Sequence, residues 1–573
     1  MKHSASAILL ILLFSSAPGV GQEPGKRVEM AVQSFPSTLD PHRIFYPPWN
    51  EIYRLVYETP VACSAEGRVL RLVPRLLETL PEIAEGGRRV TLRFRKGARF
   101  QDDPCFPGGK GREIHAMDFM RVLYHHADPA NGSVYWSAYL AGRIEGLDAL
   151  RARAEKEGFF DYDARVKGLE VKGDQELVIR FHGPYPQFTA LLTMAWASVV
   201  PWEARRKYGD GLGQRPVGSG PYRFDPENST DTLKLFVRRD DYWRASEGGK
   251  EGPLPRNAAV RLHVLPDLAS QEKRFLAGDL SLLDLYPGNA ERFCTPRGRV
   301  KRKNVPRRTK LLVSDRTWIH YIAFNMRNKI LAKKKLRQAL CLAVDRNRYV
   351  RDYYKGAASL ANHPVPPGLP LDTPKRPKRW AYGRYNLKKA KALLAEAGYP
   401  NGEGLPEFVL EAPDSGPLAQ QDTEILKSSW ARLGVKVQVR LHSGMADFID
   451  RARRGVQEIT INYWFADYPD ADNFFLMLAT RSIPKPGAQG DTPNMGFYSN
   501  PEYDRLYLES TTLAPGKERG RLYARMIEIV QEDCPWLFVA HQQLWTLVGP
   551  GVTGVGNRNP FAADAALISP SPN

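Results

Sequence analysis

A short stretch in the second half of the chain, residues 463–475, is both acidic and aromatic. It carries Asp467, Asp470 and Asp472 among six aromatic side chains, and no Lys or Arg occurs within residues 455–480. A carboxylate beside aromatic rings can bind a ligand cation through an ion pair and cation–π contacts. The same residues would also suit an acidic turn after a buried strand, because loop carboxylates are usually solvated.

The segments before this stretch predict the elements that position it. The predicted elements are, in order, a helix capped by Asn386, a strand over 408–412, a helix opened by Asp422, a strand over 435–441, a helix over 446–454 and a strand over 459–464. Strands that alternate with helices form a mostly parallel sheet with right-handed crossovers. The acidic stretch then leaves the carboxyl end of a sheet strand, where ligands of open α/β sheets bind. This position favours a ligand site over a solvated turn.

Motifs that would indicate an enzyme or a cofactor site are missing from the sequence. There is no H-E-x-x-H zinc motif, no G-x-S-x-G nucleophile motif and no G-x-x-x-x-G-K-[ST] phosphate motif. Asp470 and Asp472 begin like a calcium loop, but Phe474 stands where an oxygen ligand is needed. His125 and His126 occupy neighbouring helical positions that diverge. We therefore predict no catalytic residue, no metal site and no cofactor.

Length and composition describe an exported globular protein. The 573 residues are too many for one hydrophobic core, so about two or three domains are expected. Lys2, the apolar run over 7–14 and the small residues after it predict a signal peptide over 1–21, cleaved after Ala17 or Gly21. No later run of about 18 apolar residues could span a bilayer. We expect a periplasmic or extracellular protein.

The formal net charge of +19 raises the question of a polyanionic partner. The densest basic run contains no acid and consists of Arg297, Arg299, Lys301, Arg302, Lys303, Arg307, Arg308 and Lys310. The run lacks the interleaved aromatic residues that stack on nucleic-acid bases. We therefore predict no specific nucleic-acid partner and interpret the run as a solvated surface. A secreted polyanion-binding protein is kept as an alternative.

The five cysteines are scattered, with neither a C-x-x-C motif nor a zinc-type spacing. Cys341 lies in an apolar helical pattern and Cys534 stands beside Pro535, so both cysteines are predicted in the core. An odd number of cysteines leaves at least one unpaired within a single chain. Cys63 with Cys105 is the one disulfide pairing that we consider.

Segments spread over nearly the whole chain resemble one family, the extracellular solute-binding proteins of ABC-type peptide importers. These segments are LDPH at Leu39, LRFRKGARF at Leu92, PVGSGPY at Pro216, RRDDYW at Arg238, FNM at Phe324, LRQA at Leu336, the segment from Tyr385 to Pro400, and NPEYD at Asn500. They occur in the family's order along the chain. The resemblance is therefore more specific than any single motif.

The resemblance implies an α/β, two-lobed periplasmic-binding-protein-like fold with a hinge and an extra domain inserted in the N-terminal lobe. The expected domains are a first lobe over 22–50, 166–265 and 537–573, an inserted domain over 51–165 and a second lobe over 266–536. The chain would cross the hinge near Pro266 and again near Trp536. The implied activity is to bind peptides, oligopeptides or dipeptides, between the lobes and to deliver them to an inner-membrane ABC permease, as a monomer.

The acidic stretch coincides with a family motif. Residues 464–468 fall on the family's W-x-A-D-Y, in which the Asp pairs with the α-ammonium of the peptide. The resemblance therefore implies that Asp467 binds the charge of the ligand. It also implies that the neighbouring residues form the cleft wall, namely Tyr463, Trp464, Phe465 and Ala466.

A second segment is implied to contact the peptide from the first lobe, and it contains Phe45 and Tyr46. Two departures from the family pattern leave the ligand open. Ile461 stands where some oligopeptide binders have an Arg for the ligand carboxylate, so this position gives no information about the length of the ligand. Phe45 replaces an acidic residue found in some members, so the polarity of that subsite does not follow. The alternative within this fold is a non-peptide solute, such as an oligosaccharide or a metal chelate.

Overall fold

The computed structural model describes residues 27–44, 49–64, 67–373, 379–485 and 493–569. The predicted signal peptide over 1–21 and the predicted site residues Phe45 and Tyr46 lie outside these ranges. Within them, none of the helices combines the length and the apolar character needed to cross a membrane.

Strands occur along the whole described chain. They are β1 (Arg27–Val32), β2 (Val61–Cys63), β3 (Leu72–Pro74), β4 (Glu82–Ala84), β5 (Arg89–Arg93), β6 (Leu169–Lys172), β7 (Glu176–Arg180), β8 (Tyr222–Asp225), β9 (Leu233–Arg238), β10 (Ala259–Val264), β11 (Leu282–Leu285), β12 (Lys310–Phe324), β13 (Ala358–Leu360), β14 (Phe408–Ala412), β15 (Val437–Leu441), β16 (Ile459–Phe465) and β17 (Trp536–Val548).

Helices lie between most of these strands. They are α1 (Asn50–Val56), α2 (Ala116–Ala127), α3 (Leu147–Glu157), α4 (Phe188–Leu191), α5 (Trp202–Tyr208), α6 (Leu268–Ala277), α7 (Ala290–Phe293), α8 (Lys334–Leu342), α9 (Arg346–Arg348), α10 (Leu387–Glu396), α11 (Pro417–Ala431), α12 (Met445–Arg454), α13 (Asp472–Phe475), α14 (Pro501–Ser510) and α15 (Lys517–Asp533).

The N-terminal half contains two four-stranded sheets. One has the order β1-β10-β9-β8, and the other has the order β4-β5-β7-β6. The second sheet reaches Arg180, beyond the end that the sequence predicts for an inserted domain at residue 165. One buried cluster includes Val28 and Val260 of the first sheet together with Val90 and Leu177 of the second. The two sheets therefore share a hydrophobic core.

The C-terminal half is built on a larger sheet with the order β11-β17-β12-β16-β14-β15, to which β13 adds beside β17. Strand β14 pairs in parallel with β15 and with β16, as the alternating strands and helices predict. Strand β12 is antiparallel to both β16 and β17, so the sheet is mixed. The predicted strands over 408–412 and 459–464 correspond to β14 and β16, and β16 includes one more residue, Phe465.

The chain passes between the two halves twice. The first passage lies between Val264, where β10 ends, and β11, which joins the larger sheet. Strand β17 stays paired with the larger sheet along its whole length, and the second passage follows this strand. After this passage, Nδ2 of Asn257 donates to the carbonyl of Ala565 at 3.0 Å. This bond attaches the C-terminal segment to the first lobe.

All five cysteines lie in the described ranges, and all five are free thiols. Cys63 is buried, and burial raises the pKa of its thiol to about 12. Cys105 is a separate, half-buried thiol whose backbone amide donates to Asp103 at 2.8 Å. The disulfide considered for these two cysteines is therefore wrong. Cys341 and Cys534 are fully buried, as predicted for core residues.

Candidate functional site

The acidic, aromatic stretch begins in strand β16, which lies between β12 and β14 in the larger sheet, and continues beyond the carboxyl end of that strand. The first four residues of β16 are buried and its last three are half-buried, so the strand runs from the core towards the surface. Asp467 follows two residues after the strand ends and is itself half-buried. The structure thus places Asp467 at the carboxyl end of a sheet strand, as the sequence predicts.

The carboxylate of Asp467 is positioned by the side chain of Asn473. Nδ2 of Asn473 donates to Oδ2 of Asp467 at 3.0 Å, and the Asp467 amide donates to Oδ1 of Asn473 at 3.1 Å. Nε1 of Trp464 donates to the same Oδ1 at 2.9 Å. Because Asn473 is buried, these bonds hold Asp467 and Trp464 in one fixed arrangement. Sequence reasoning missed Asn473, because no local pattern shows that its amide faces back to Asp467.

The two other carboxylates of the stretch are buried and serve the loop itself. Asp470 lies 3.0 Å from Nη2 of Arg519 and accepts a hydrogen bond from the amide of Asp472 at 2.9 Å. Asp472 accepts a hydrogen bond from the hydroxyl of Tyr468 at 2.8 Å. Burial, together with the nearby charge of Asp470, raises the pKa of Asp472. Of the three acids, Asp467 is the one placed nearest to solvent.

Aromatic side chains cover the face of the sheet beside Asp467. Trp318 of β12 stands opposite Phe465 in the antiparallel ladder, and the two ring centroids are 5.8 Å apart. Trp318 also packs edge-on against Tyr463 at 6.1 Å. Sequence reasoning found Phe465 and Tyr463 but missed Trp318, since only strand pairing brings β12 to this place.

Tyr463 joins a polar network buried behind the strand. Its hydroxyl donates to Oδ2 of Asp422 at 2.8 Å, and the Tyr349 hydroxyl donates to Oδ1 of Asp422 at 2.7 Å. Nε2 of His320 lies 3.1 Å from Oδ2 of Asp422. Burial and then the charge of Asp422 raise the pKa of Tyr463, which keeps its hydroxyl a donor. The hydroxyl of Tyr463 is therefore occupied by this network.

The position of Asp422 corrects the sequence prediction for its helix. The sequence predicts that Asp422 opens the helix, but α11 begins at Pro417 with Gly416 as the N-cap residue. Asp422 is fully buried inside the helix. A proline at the first helical position is a start signal that the sequence does contain.

The stretch also contacts the N-terminal half of the chain. The ring of Tyr468 packs edge-on against Tyr139, with centroids 6.2 Å apart. In the first lobe, the carbonyl of Ile44 accepts a hydrogen bond from the Tyr135 hydroxyl at 2.7 Å. Ile44 directly precedes Phe45 and Tyr46, which lie outside the described residues. The contact between the lobes is therefore directly beside Asp467.

The basic run forms an exposed loop before β12. Nζ of Lys301 donates to the carbonyl of Glu291 at 2.6 Å, and Nη1 of Arg302 donates to the carbonyl of Thr309 at 2.6 Å. Most of the run is exposed, so it matches the solvated surface that the sequence indicates. In the part of the chain that the structure describes, no group of three His, Cys, Asp or Glu side chains is placed to hold a metal ion.

Comparison with known proteins gives the family. The family described as bacterial extracellular solute-binding proteins, family 5 Middle, matches residues 71–484, which is well over half of the chain. The chain belongs to this family. The match spans the strands of the larger sheet up to β16 and the whole acidic stretch.

Curated relatives match over most of their length. Heme-binding protein A of Haemophilus influenzae is 29% identical over 507 residues, covering 86% of this chain and 83% of that protein. The dipeptide-binding protein of Escherichia coli is 23% identical, covering 84% of this chain and 83% of that protein. A glutathione-binding protein of Shigella flexneri is 24% identical, covering 92% of this chain and 91% of that protein.

Solved structures show the same fold. The structure of HbpA2 from Haemophilus parasuis superposes with a TM-score of 0.77 at 24% identity, covering 95% of this chain and all of that chain. The periplasmic murein tripeptide binding protein MppA, in its unliganded open form, has a TM-score of 0.75 at 21% identity and covers 96% of this chain and 98% of that chain. The fold is therefore the two-lobed, α/β periplasmic binding-protein fold with a hinge.

Proposed function

We propose that this protein binds peptides between its lobes, with the peptide α-ammonium on Asp467, and delivers them to an inner-membrane ABC importer. The observation that carries this proposal is the arrangement at the end of β16. Asn473 fixes the Asp467 carboxylate beside the half-exposed rings of Trp464 and Phe465. A fixed carboxylate next to aromatic rings suits an ammonium group because ion pairing and cation–π attraction act together.

Several comparisons support a peptide over other solutes. Two of the relatives are named for a dipeptide and for glutathione, which is itself a peptide. One structural neighbour, from Helicobacter pylori, is a complex with the peptide STSA, and another, from Haemophilus influenzae, is a complex with the peptide RPPGFSPFR. Membership of a solute-binding family further supports binding without chemical conversion of the ligand.

Closure of the lobes would couple binding to delivery. The contact between Tyr468 and Tyr139 joins the lobes directly beside Asp467. A ligand that touches both lobes favours the closed form by its extra contacts there. The proposed ligand-binding residues are Asp467, Tyr463, Trp464, Phe465 and Ala466 from the second lobe, with Phe45 and Tyr46 from the first. The protein is proposed to act as a monomer in the periplasm after removal of residues 1–21. The domain bounds predicted from the sequence are likewise part of this proposal.

The experiment measures binding of a mixed tripeptide library by isothermal titration calorimetry and native mass spectrometry. Asp467→Asn keeps the size of the side chain but removes its charge, so the apparent Kd should rise about 10- to 100-fold. Acetylation of the library's amino groups should weaken binding to the wild type by a similar factor. The control is Asp240→Asn, at an exposed carboxylate of the first lobe, and it should leave Kd unchanged.

Each outcome of this experiment decides a separate statement. If the wild type binds the library and Asp467→Asn binds it equally well, Asp467 is not the ammonium site. If the wild type neither binds the library nor retains a peptide on purification, the peptide function is refuted.

A second candidate ligand is a metal chelate, because a relative covering 86% of this chain is a heme-binding protein. Titration with heme, followed by its visible absorption band, tests this candidate. A stoichiometric spectral shift that Asp467→Asn leaves unchanged would favour the chelate over the peptide. A polyanion ligand on the basic run would instead show binding that falls steeply with salt and is lost on charge reversal of Arg302 and Lys303.

A further inference from the structure

A second charged side chain stands at the end of the same pair of strands. Trp318 of β12 is opposite Phe465 of β16, and one position further the amide of Ala466 donates to the carbonyl of Thr317 at 2.8 Å. The antiparallel pairing of β12 and β16 therefore continues beyond the last residue of β16. The next residue on the first strand is Arg316, which precedes Thr317, and the next residue on the second is Asp467, which follows Ala466. Arg316 and Asp467 are therefore the first residues beyond the last paired position of the two strands.

Arg316 occurs where β12 departs from regular pairing on its other side. The register between β12 and β17 shifts between Asp315 and Ile319, which leaves Arg316, Thr317 and Trp318 in a bulge. A bulge turns side chains away from the regular pleat and often occurs at functional sites. The arginine is therefore free of the β17 ladder and lies beside the end of β16.

The guanidinium of Arg316 lies between two aromatic rings. Its Cζ atom is 5.6 Å from the ring centroid of Tyr286 and 5.8 Å from that of Trp318. Among the described residues, its Nε atom is buried without a hydrogen-bond partner, whereas the side chain does interact with the Tyr286 hydroxyl. Buried polar groups normally have a partner, so this nitrogen indicates a missing acceptor.

The carboxylates near Arg316 are engaged elsewhere. Asp315 forms a two-bond pair with Arg68, at 3.0 and 2.8 Å. Asp284 accepts a hydrogen bond from the Thr546 hydroxyl at 2.6 Å and lies 3.6 Å from Arg558. Across the described ranges, no carboxylate comes within 4.0 Å of the Arg316 guanidinium. Among the described residues, this partly buried cation therefore has no carboxylate as a counter-ion.

We propose that Arg316 binds a carboxylate of the peptide ligand, an inference that rests on the peptide function proposed above. A planar guanidinium binds a carboxylate through two parallel hydrogen bonds, and the two flanking rings limit its rotation. The ligand carboxylate would supply a counter-ion for Arg316 and an acceptor for its Nε atom. Asp467 and Arg316 would then bind opposite charges of one ligand.

The test compares the mixed tripeptide library with the same library carrying C-terminal amides. The wild type should bind the free acids about 10- to 100-fold more tightly than the amides. Arg316→Gln should raise the Kd of the acids by the same factor and leave the Kd of the amides unchanged. The matched control is Arg327→Gln, because Arg327 also lies over a ring, that of Phe497 at 3.9 Å, but at the other end of β12.

Each outcome supports or overturns the proposal. If Arg316→Gln weakens acids and amides equally, or if the wild type binds both equally, Arg316 does not bind the carboxylate although the peptide function stands. If the wild type binds neither library, the peptide function fails and the assignment of Arg316 fails with it.

Discussion

Arg519 connects the loop that carries the candidate site to the core of the second lobe. It lies on helix α15 with only 1% of its side chain exposed. Nε donates to Asp372 at 2.8 Å, and Nη2 lies 2.7 Å from Asp372 and 3.0 Å from Asp470. Asp470 follows Asp467 by one turn of the loop, so this buried triad holds the loop in place.

Replacing Arg519 by Met keeps the apolar stem of the side chain but removes its charge. Two carboxylates, 11% and 6% exposed, would then lose their shared cation inside the protein. Removing one partner from a buried ion pair costs about 3–5 kcal/mol, because the remaining charge is left uncompensated. We expect Arg519→Met to lower the free energy of unfolding by about that amount, and to weaken binding of the tripeptide library.

The measurement is urea unfolding followed by tryptophan fluorescence, with the free energy obtained by linear extrapolation. The control is Arg525→Ala on the same helix. Arg525 pairs with Glu502 at 2.9 Å, but half of each side chain is exposed and the pair is screened by water, so its loss should cost far less than the loss of Arg519. Adding Asp470→Asn to Arg519→Met should recover part of the loss, since it removes one of the unpaired charges.

The stabilising role of the buried Arg519 cation is refuted if Arg519→Met and Arg525→Ala lower the free energy of unfolding by the same small amount. It is also refuted if Asp470→Asn deepens the loss in the double variant. Either result would mean that water or other groups replace the guanidinium at no cost.

Two further predictions concern pH and backbone packing in the first lobe. Burial lowers the pKa of His126 to about 4. In the unfolded chain this histidine has its ordinary pKa of about 6.5. Between pH 6.5 and pH 4 the unfolded chain therefore binds more protons than the folded protein does, so the free energy of unfolding should fall as the pH falls from about 6.5 to about 4. Urea midpoints at pH 7 and pH 5 test this, and His126→Gln should reduce the difference between them. Gly218→Ala should lower stability by about 1–3 kcal/mol, because an added Cβ would lie 2.1 Å from the carbonyl oxygen of Val56. Gly183→Ala, where the same atom meets nothing within 4 Å, should leave the urea midpoint unchanged.

The sequence predicts elements well where their signals are local. Asn386 caps α10 through its side chain, which accepts a hydrogen bond from the Lys389 amide at 2.9 Å, as the sequence predicts. The strands β14 and β16 follow from alternation and short apolar runs, and their parallel pairing follows from the helices between them. Caps, periodicity and turns act over a few neighbouring residues, so one sequence is enough to find them.

Predictions are wrong where a distant partner decides the outcome. Asp422 has the residue type of a helix cap, but hydroxyl groups from Tyr349 and Tyr463 make it a buried member of α11. Strand β17 remains in the larger sheet as far as Val548 because it pairs with β11 and β12, which lie far away in the sequence. Neither partner is visible in the local pattern, because both come from other parts of the chain.

The sequence by itself indicated an acidic, aromatic stretch after a predicted strand, and the resemblance of residues 464–468 to the family's W-x-A-D-Y motif then selected Asp467 among its three carboxylates. Only the tertiary structure decided what surrounds that carboxylate. Pairing of β12 with β16 brings Trp318 beside Phe465 and Arg316 to the end of the same pair of strands, and the loop after β16 brings the Asn473 amide back to Asp467. The register of two strands far apart in the chain depends on how the whole core packs, so side chains that meet across them cannot be found from their own neighbours.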